Sequence, residues 1–187
     1  VEDGVKQVVV PVSDGVEEIE AVVVIDILRR AGLEVVVAGV GGTTVTGSHA
    51  ITLRCDARIE DCDFDAAHAI VLPGGMPGTL RLRESPDVRR ALAALFAAGK
   101  LVAAVCAAPT VLESCGILEG RRATSHPAHA GEMKRCRYEE TAVVEDANVI
   151  TSRGAGTSIE FAAAVVRYLV GGDVARDVLE RIQYRGN

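Results

Sequence analysis

The sequence predicts an α/β protein: a mainly parallel sheet with helices on both faces, stacked as a three-layer sandwich. Three observations carry this. Short apolar runs rich in Val, Ile and Ala read as buried strands, as in Lys6–Val12, Leu33–Val40, Ala69–Leu72 and Leu101–Val105. These runs alternate with segments of helical period. Turns rich in glycine and proline follow them, at the carboxyl edge where ligands of such sheets bind.

Composition narrows the functional classes. The 187 residues fit one domain, residues 1–187, with an ample core. Aromatics are 3% and Trp is absent, so the core is built from Val, Ala, Leu and Ile. That argues against an aromatic stacking platform for single strands, and the net charge of -6 argues against any nucleic acid partner. No apolar run reaches the roughly 18 residues of a membrane span, so no membrane partner is expected. Val1–Gln7 carries acids and no long apolar core, so the chain as given shows no secretory leader. Five cysteines without a CxxC pair suggest a reducing, cytoplasmic setting. Neither a disulfide framework nor a metal site is expected from their spacing.

The elements follow in order. Lys6–Val12 reads as a central strand and Ser13-Asp14-Gly15 as its turn. Glu17–Ala31 reads as a helix. Glu17, Glu18 and Glu20 suit its positive end, Arg29 and Arg30 its negative end, and Gly32 stops it. Its middle, Ala21–Ile25, is apolar all round, and a second copy of the chain is the simplest cover for the side the sheet leaves bare. Leu33–Val40 is the second strand. Thr43–Arg54 alternates around Gly47-Ser48 like a small hairpin off the main sheet. Ile59–Asp65 is a short acidic connection. Ala69–Leu72 ends in Pro73-Gly74-Gly75-Met76-Pro77-Gly78. Its glycines allow close backbone approach to a ligand, or simply a tight turn. Ser85 or Pro86 starts a helix through Ala98.

Leu101–Val105 runs directly into Cys106, and Pro109-Thr110 opens a further run, Val111–Leu118, at helical spacing. Strand, sharp bend and helix would hold a thiol above the sheet edge. A helix N-terminus beside it favours the thiolate, although buried cysteines also serve as inert packing. Ala123–Pro127 is a short strand into a turn carrying His126, and Gly131–Arg135 is a helical turn. Thr141–Asp146 and Asn148–Thr151 are strands. Ser152–Thr157 is another edge loop, and Ser158–Val170 and Val174–Gln183 are helices. The edge loop lacks the P-loop lysine, and Gly39–Gly42 lacks GxGxxG, so nucleotide sites are not indicated.

Glu20 abuts the apolar stretch of its helix. A desolvated carboxyl stays protonated and can donate its O–H to a thiolate, lowering the thiol pKa. Arg54 beside Cys55, and Arg135 and Arg137 beside Cys136, make those two thiols its nearest rivals.

EEIEAVVVIDILRRAG, IVLPGG, AAVCAAPT, TSHP and TSRGAGTSIEFA, in that order, closely resemble the ThiJ/PfpI superfamily, and its DJ-one branch most. The resemblance spans nearly the whole chain. It implies a flavodoxin-like sandwich, no cofactor, and a homodimer through the first long helix. Matched motif to motif, it puts the nucleophile on Cys106, the protonated glutamate on Glu20 and an assisting histidine on His126. It puts substrate and oxyanion binding on Gly74, Gly75 and Ala107, with the N–H groups of Gly75 and Ala107 as donors. Peptidases of the superfamily carry a histidine directly after the cysteine, where this chain has Ala107, which argues against proteolysis. His49 stands where the resemblance places an arginine near the partner subunit's site. The implied activity is glutathione-independent conversion of methylglyoxal, a small reactive dicarbonyl, to lactate, or deglycation of its adducts. The alternative is a redox-sensing chaperone switched by oxidation of Cys106.

Overall fold

The computed structural model describes residues 4–186. Val1–Asp3, part of the stretch read for a leader, and Asn187 lie outside the described residues.

Strand β1 (Gln7–Val12) sits in the middle of the main sheet, and its side chains alternate between two cores. Val8, Val10 and Val12 enter one, and Val9 the other, as a period of two requires. Helix α1 (Glu18–Arg30) leads to β2 (Glu34–Gly39), which pairs with β1 in parallel. Strands β3 (Thr44–Thr46) and β4 (Thr52–Arg54) form the expected hairpin outside the main sheet, and β5 (Ala57–Arg58) extends the edge beside β2. Strand β6 (Ala69–Leu72) lies on the other side of β1.

Helices α2 (Gly78–Glu84) and α3 (Pro86–Ala97) then cover one face. The α3 start is capped by Ser85 Oγ, which accepts the Val88 N–H at 3.3 Å. Strand β7 (Leu101–Val105) and helix α4 (Pro109–Ser114) bracket the bend at Cys106. Two-residue strands β8 (Arg122–Ala123) and β9 (Arg137–Tyr138) pair in parallel apart from the main sheet. Strands β10 (Val143–Asp146) and β11 (Val149–Ser152) form an antiparallel edge. Helices α5 (Ser158–Val170) and α6 (Gly172–Arg181) end the chain. The sheet order is β10-β11-β7-β6-β1-β2-β5, parallel except for β10. Helices α1, α5 and α6 fill one layer and α2, α3 and α4 the other. This is the flavodoxin-like sandwich.

Four details correct the expectations. The Gly78–Glu84 helix was hidden behind its proline-glycine loop. Helix α4 stops at Ser114, short of Leu118, because Ser114 Oγ turns back to the Val111 carbonyl at 2.8 Å and Gly116 takes φ +75°. The helical turn expected at Gly131–Arg135 instead spans Pro127–Glu132, where Pro127 suits a first helical position. The face of α1 is also divided more finely than its all-round apolarity suggests. Ala21, Val24, Ile27 and Leu28 are buried, Val23 and Ile25 pack partly against the core, and Ile19 and Val22 stay exposed at 56% and 46%. No helix among the described residues is long and apolar enough to cross a membrane.

Candidate active site

Cys106 takes φ +64°, a left-handed conformation uncommon outside glycine. Main-chain bonds hold it there. Its N–H donates to the Ser152 carbonyl at 2.9 Å, and its carbonyl accepts the His126 N–H at 2.8 Å. The bend thus ties the ends of β7 and β11 to the His126 turn. The N–H groups of Ala107 and Gly75 donate toward the sulfur.

Glu20 reaches the thiol from α1 because the helix start is packed onto the loop after β6. The Glu17 N–H donates to the Gly74 carbonyl at 2.9 Å. A Cβ on Gly75 would lie 2.2 Å from the Glu17 nitrogen, and Gly75 has φ +93°, so two constraints demand glycine there. The Gly74 N–H donates to Glu20 Oε2 at 2.7 Å. Glu20 Oε1 is buried with no hydrogen-bond partner, and the carboxyl stands beside the Cys106 thiol. A Cβ on Gly74 would sit 2.8 Å from Cys106 Cβ and 2.9 Å from Glu20 Oε2. Gly74 therefore leaves the gap through which carboxyl and thiol meet. Its own amide is spent on Glu20, which leaves the N–H groups of Gly75 and Ala107 as the donors beside the sulfur.

Burial pushes the Glu20 carboxyl up to about 7, against the hydrogen bonds from Cys106 and Gly74. Burial, and then the charge on Glu20, push the Cys106 thiol up to about 12, against the N–H groups of Ala107 and Gly75. The expected lowering of the thiol is overturned, since desolvation and a neighbouring anion outweigh the donors. Between these two values the pair holds one proton. Either use of the thiol, as nucleophile or as redox switch, therefore needs its proton taken up by Glu20. Burial also raises Cys55, with Asp56 adding to it, and Cys136, with Glu113 adding to it, so their arginine neighbours do not activate them. Cys62 is raised by burial and then by Asp61 and Glu60.

His126 is exposed, and its Nδ1 accepts the Ala128 N–H at 3.2 Å. In the neutral ring the proton therefore sits on Nε2. The adjoining Cδ2 faces Gly154: a Cβ there would lie 3.5 Å from His126 Cδ2 and 4.0 Å from Cys106 Sγ. Cys106, Glu20, Gly75, Ala107 and His126 are thus brought to one place.

Two further residues escaped the sequence. Gly154 lies in the Ser152–Thr157 edge loop, where nothing local signals its place beside the thiol. Glu18 is buried and accepts the His49 N–H at 2.7 Å and the Ile51 N–H at 3.3 Å. Burial pushes its carboxyl up, but those donors, its own N–H and the His49 ring outweigh it and hold it at about 2. The His49 ring lies 3.1 Å from Glu18 Oε2 and 3.6 Å from Glu17 Oε2, so within this chain it serves its own helix start. Glu17, Glu18 and His49 are the cluster of metal-ligand type among the described residues, their donor atoms within 4.8 Å of one another. The hairpin that assembles them gives no recognisable ligand spacing in the sequence.

Residues 6–168 match the DJ-1/PfpI family. The chain is 40% identical over 178 residues to the Parkinson disease protein 7 homolog of Danio rerio, covering 92% of this chain and 94% of that protein. It is 34% identical over 176 residues to the glutathione-independent glyoxalase DJR-1.2 of Caenorhabditis elegans, covering 92% of each. Its fold is similar to the crystal structure of Drosophila melanogaster DJ-1beta, with TM-score 0.94 at 35% identity, covering 97% of this chain and all of that one (100%).

Proposed function

The chain belongs to the DJ-1/PfpI family, and from that premise we propose that it is a cofactor-free, glutathione-independent glyoxalase acting on methylglyoxal or its adducts. The observation that carries this reading is the pair of buried Glu20 and half-buried Cys106, sharing a proton beside the N–H groups of Gly75 and Ala107. A relative named for this activity supports it.

The thiolate is reached by moving the shared proton from sulfur onto Glu20. The sulfur then attacks the aldehyde carbon, and the N–H groups of Gly75 and Ala107 hold the oxygen as it gains charge. Glu20 returns its proton to that oxygen, giving a hemithioacetal. As carboxylate, Glu20 next takes the proton from the former aldehyde carbon, forming an enediol, and delivers it to the neighbouring carbon. His126 assists by donating from Nε2 to the ketone oxygen, and it regains a proton from the hydroxyl on the former aldehyde carbon as the thioester forms. The aldehyde carbon is oxidised as the ketone carbon is reduced, so no external oxidant is needed. Water then cleaves the resulting thioester, releasing lactate and restoring the thiol. Deglycation of amine adducts would begin with the same cysteine.

The exposed Ile19 and Val22 support a second copy of the chain as the cover of α1. Purified protein supplied with methylglyoxal and no glutathione should produce lactate, while Cys106→Ser should not. Absence of lactate with folded wild-type protein would overturn the reading.

A further inference from the structure

Three glycines surround the Cys106 thiol, and they differ in what they exclude. At Gly74 and Gly75 an added Cβ would strike fixed atoms of Cys106, Glu20 and Glu17 at 2.2 to 2.9 Å. Those two glycines are required by packing. Gly154 is different. Its φ of 163° and ψ of -168° are extended backbone that any residue adopts. A Cβ there would meet His126 Cδ2 at 3.5 Å and Cys106 Sγ at 4.0 Å, both ordinary contact distances. Its main-chain groups are held by Thr157, in bonds that a side chain on residue 154 itself would leave in place. Its N–H donates to Thr157 Oγ1 at 3.1 Å, and its carbonyl accepts the Thr157 N–H at 2.9 Å.

Neither conformation nor packing therefore explains a glycine at this position. What its missing side chain leaves open is the space between the sulfur and the ring edge of His126. We propose that Gly154 is a specificity-determining residue, whose bare Cα gives room beside the nucleophile for the substituent that an α-dicarbonyl carries on the carbonyl next to the one attacked. The substrate class rests on the glyoxalase reading; the space itself does not. A methyl at Gly154 would occupy the place of that substituent while leaving the thiol, Glu20 and the two N–H donors where they are.

The test is Gly154→Ala, assayed with glyoxal, methylglyoxal and phenylglyoxal, whose substituents grow from hydrogen to methyl to phenyl. Turnover of glyoxal should stay within about threefold of wild type, and the ratio of phenylglyoxal to glyoxal turnover should fall by at least about tenfold. A second readout needs no turnover. The Cys106 peptide is followed by mass spectrometry during alkylation with small iodoacetamide and with bulky N-phenylmaleimide. Gly154→Ala should slow the bulky reagent at least about fivefold more than the small one, the effect of a modest steric clash. If wild type turns over no dicarbonyl, the glyoxalase reading fails, yet the alkylation ratio still decides the role of Gly154. An unchanged alkylation ratio, equal loss with both reagents, or failure of the variant to fold would overturn the proposal, since each gives the glycine no role or a structural one.

Discussion

The backbone N–H of His126 donates to the carbonyl of Cys106 at 2.8 Å, so the histidine is fixed to the nucleophile by main chain and not by its ring. The exposed imidazole can then be removed without displacing Cys106. His126→Ala should lower turnover by about ten- to a hundredfold, the range of one general acid–base group. Stability should change by less than about 1 kcal/mol. A loss of fold on urea titration would show that the ring is structural.

Cys106→Ser should reduce lactate formation by at least roughly a hundredfold with the circular dichroism unchanged, because the covalent step is lost. Replacing Cys55, Cys62, Cys115 or Cys136 one at a time should leave turnover near wild type. Retained activity in the serine variant would remove the cysteine from the mechanism.

Glu20 is raised from its ordinary 4.5 to about 7 in the folded state. Its contribution to stability is therefore full below about 4.5 and is lost as pH rises through about 7, on the order of 3 kcal/mol. The melting temperature should fall between about pH 5 and about pH 8, and Glu20→Gln should flatten that fall. The same substitution removes the charge that helps push Cys106 up to about 12, so the thiol should ionise at lower pH by ultraviolet titration. A thiol ionising at the same pH in both proteins would dissolve the pairing.

Glu18 works in the opposite sense. Held at about 2 against an ordinary 4.5, it stabilises the fold above about 4.5, and that stability is lost as pH falls toward about 2. The His49 ring is raised by its bond to Glu18 and by the charges of Glu17 and Glu18. Its share is full below its ordinary value and is lost as pH rises through the raised one. Glu18→Gln should destabilise at neutral pH and converge with wild type in strong acid, as read by thermal melts across pH. Parallel curves at every pH would locate the effect in packing.

Val22→Asp should yield monomer by sedimentation with the fold intact, since Val22 is exposed on α1. Val23 is the poorer choice, because it packs partly against the core. A wild-type chain that sediments as monomer at micromolar concentration would refute the pairing.

The legible parts of the fold are those in which one pattern runs unbroken. The helix read at Ser158–Val170 has those bounds in the structure, because its apolar face continues without a breaker. The parallel strands were legible because burial on both faces makes them continuously apolar. Strands β8 and β9 were not, because two residues carry no period. Helix α2 begins at Gly78 directly after Pro77, where local chemistry signals a turn. In the site, the bend at Cys106 was visible locally. The sign of its thiol shift was not, because it depends on a carboxylate delivered by a helix far away in sequence. The burial of Glu18 under the hairpin was hidden for the same reason.

Cys106, Glu20, Gly75, His126 and Gly154 arrive from α1, from the loops after β6, β7 and β11, and from the turn after β8. The sulfur's surroundings therefore depend on the neighbouring pairings of β6, β7 and β11 and on the docking of α1. No excised segment holds enough of them to hide the thiol or to strip Glu20 of water. Cys106 is consequently a built-in gauge of native integrity: its chemistry registers whether the chain is whole, and partial opening at any one of these junctions dismantles the centre before the rest of the molecule has come apart.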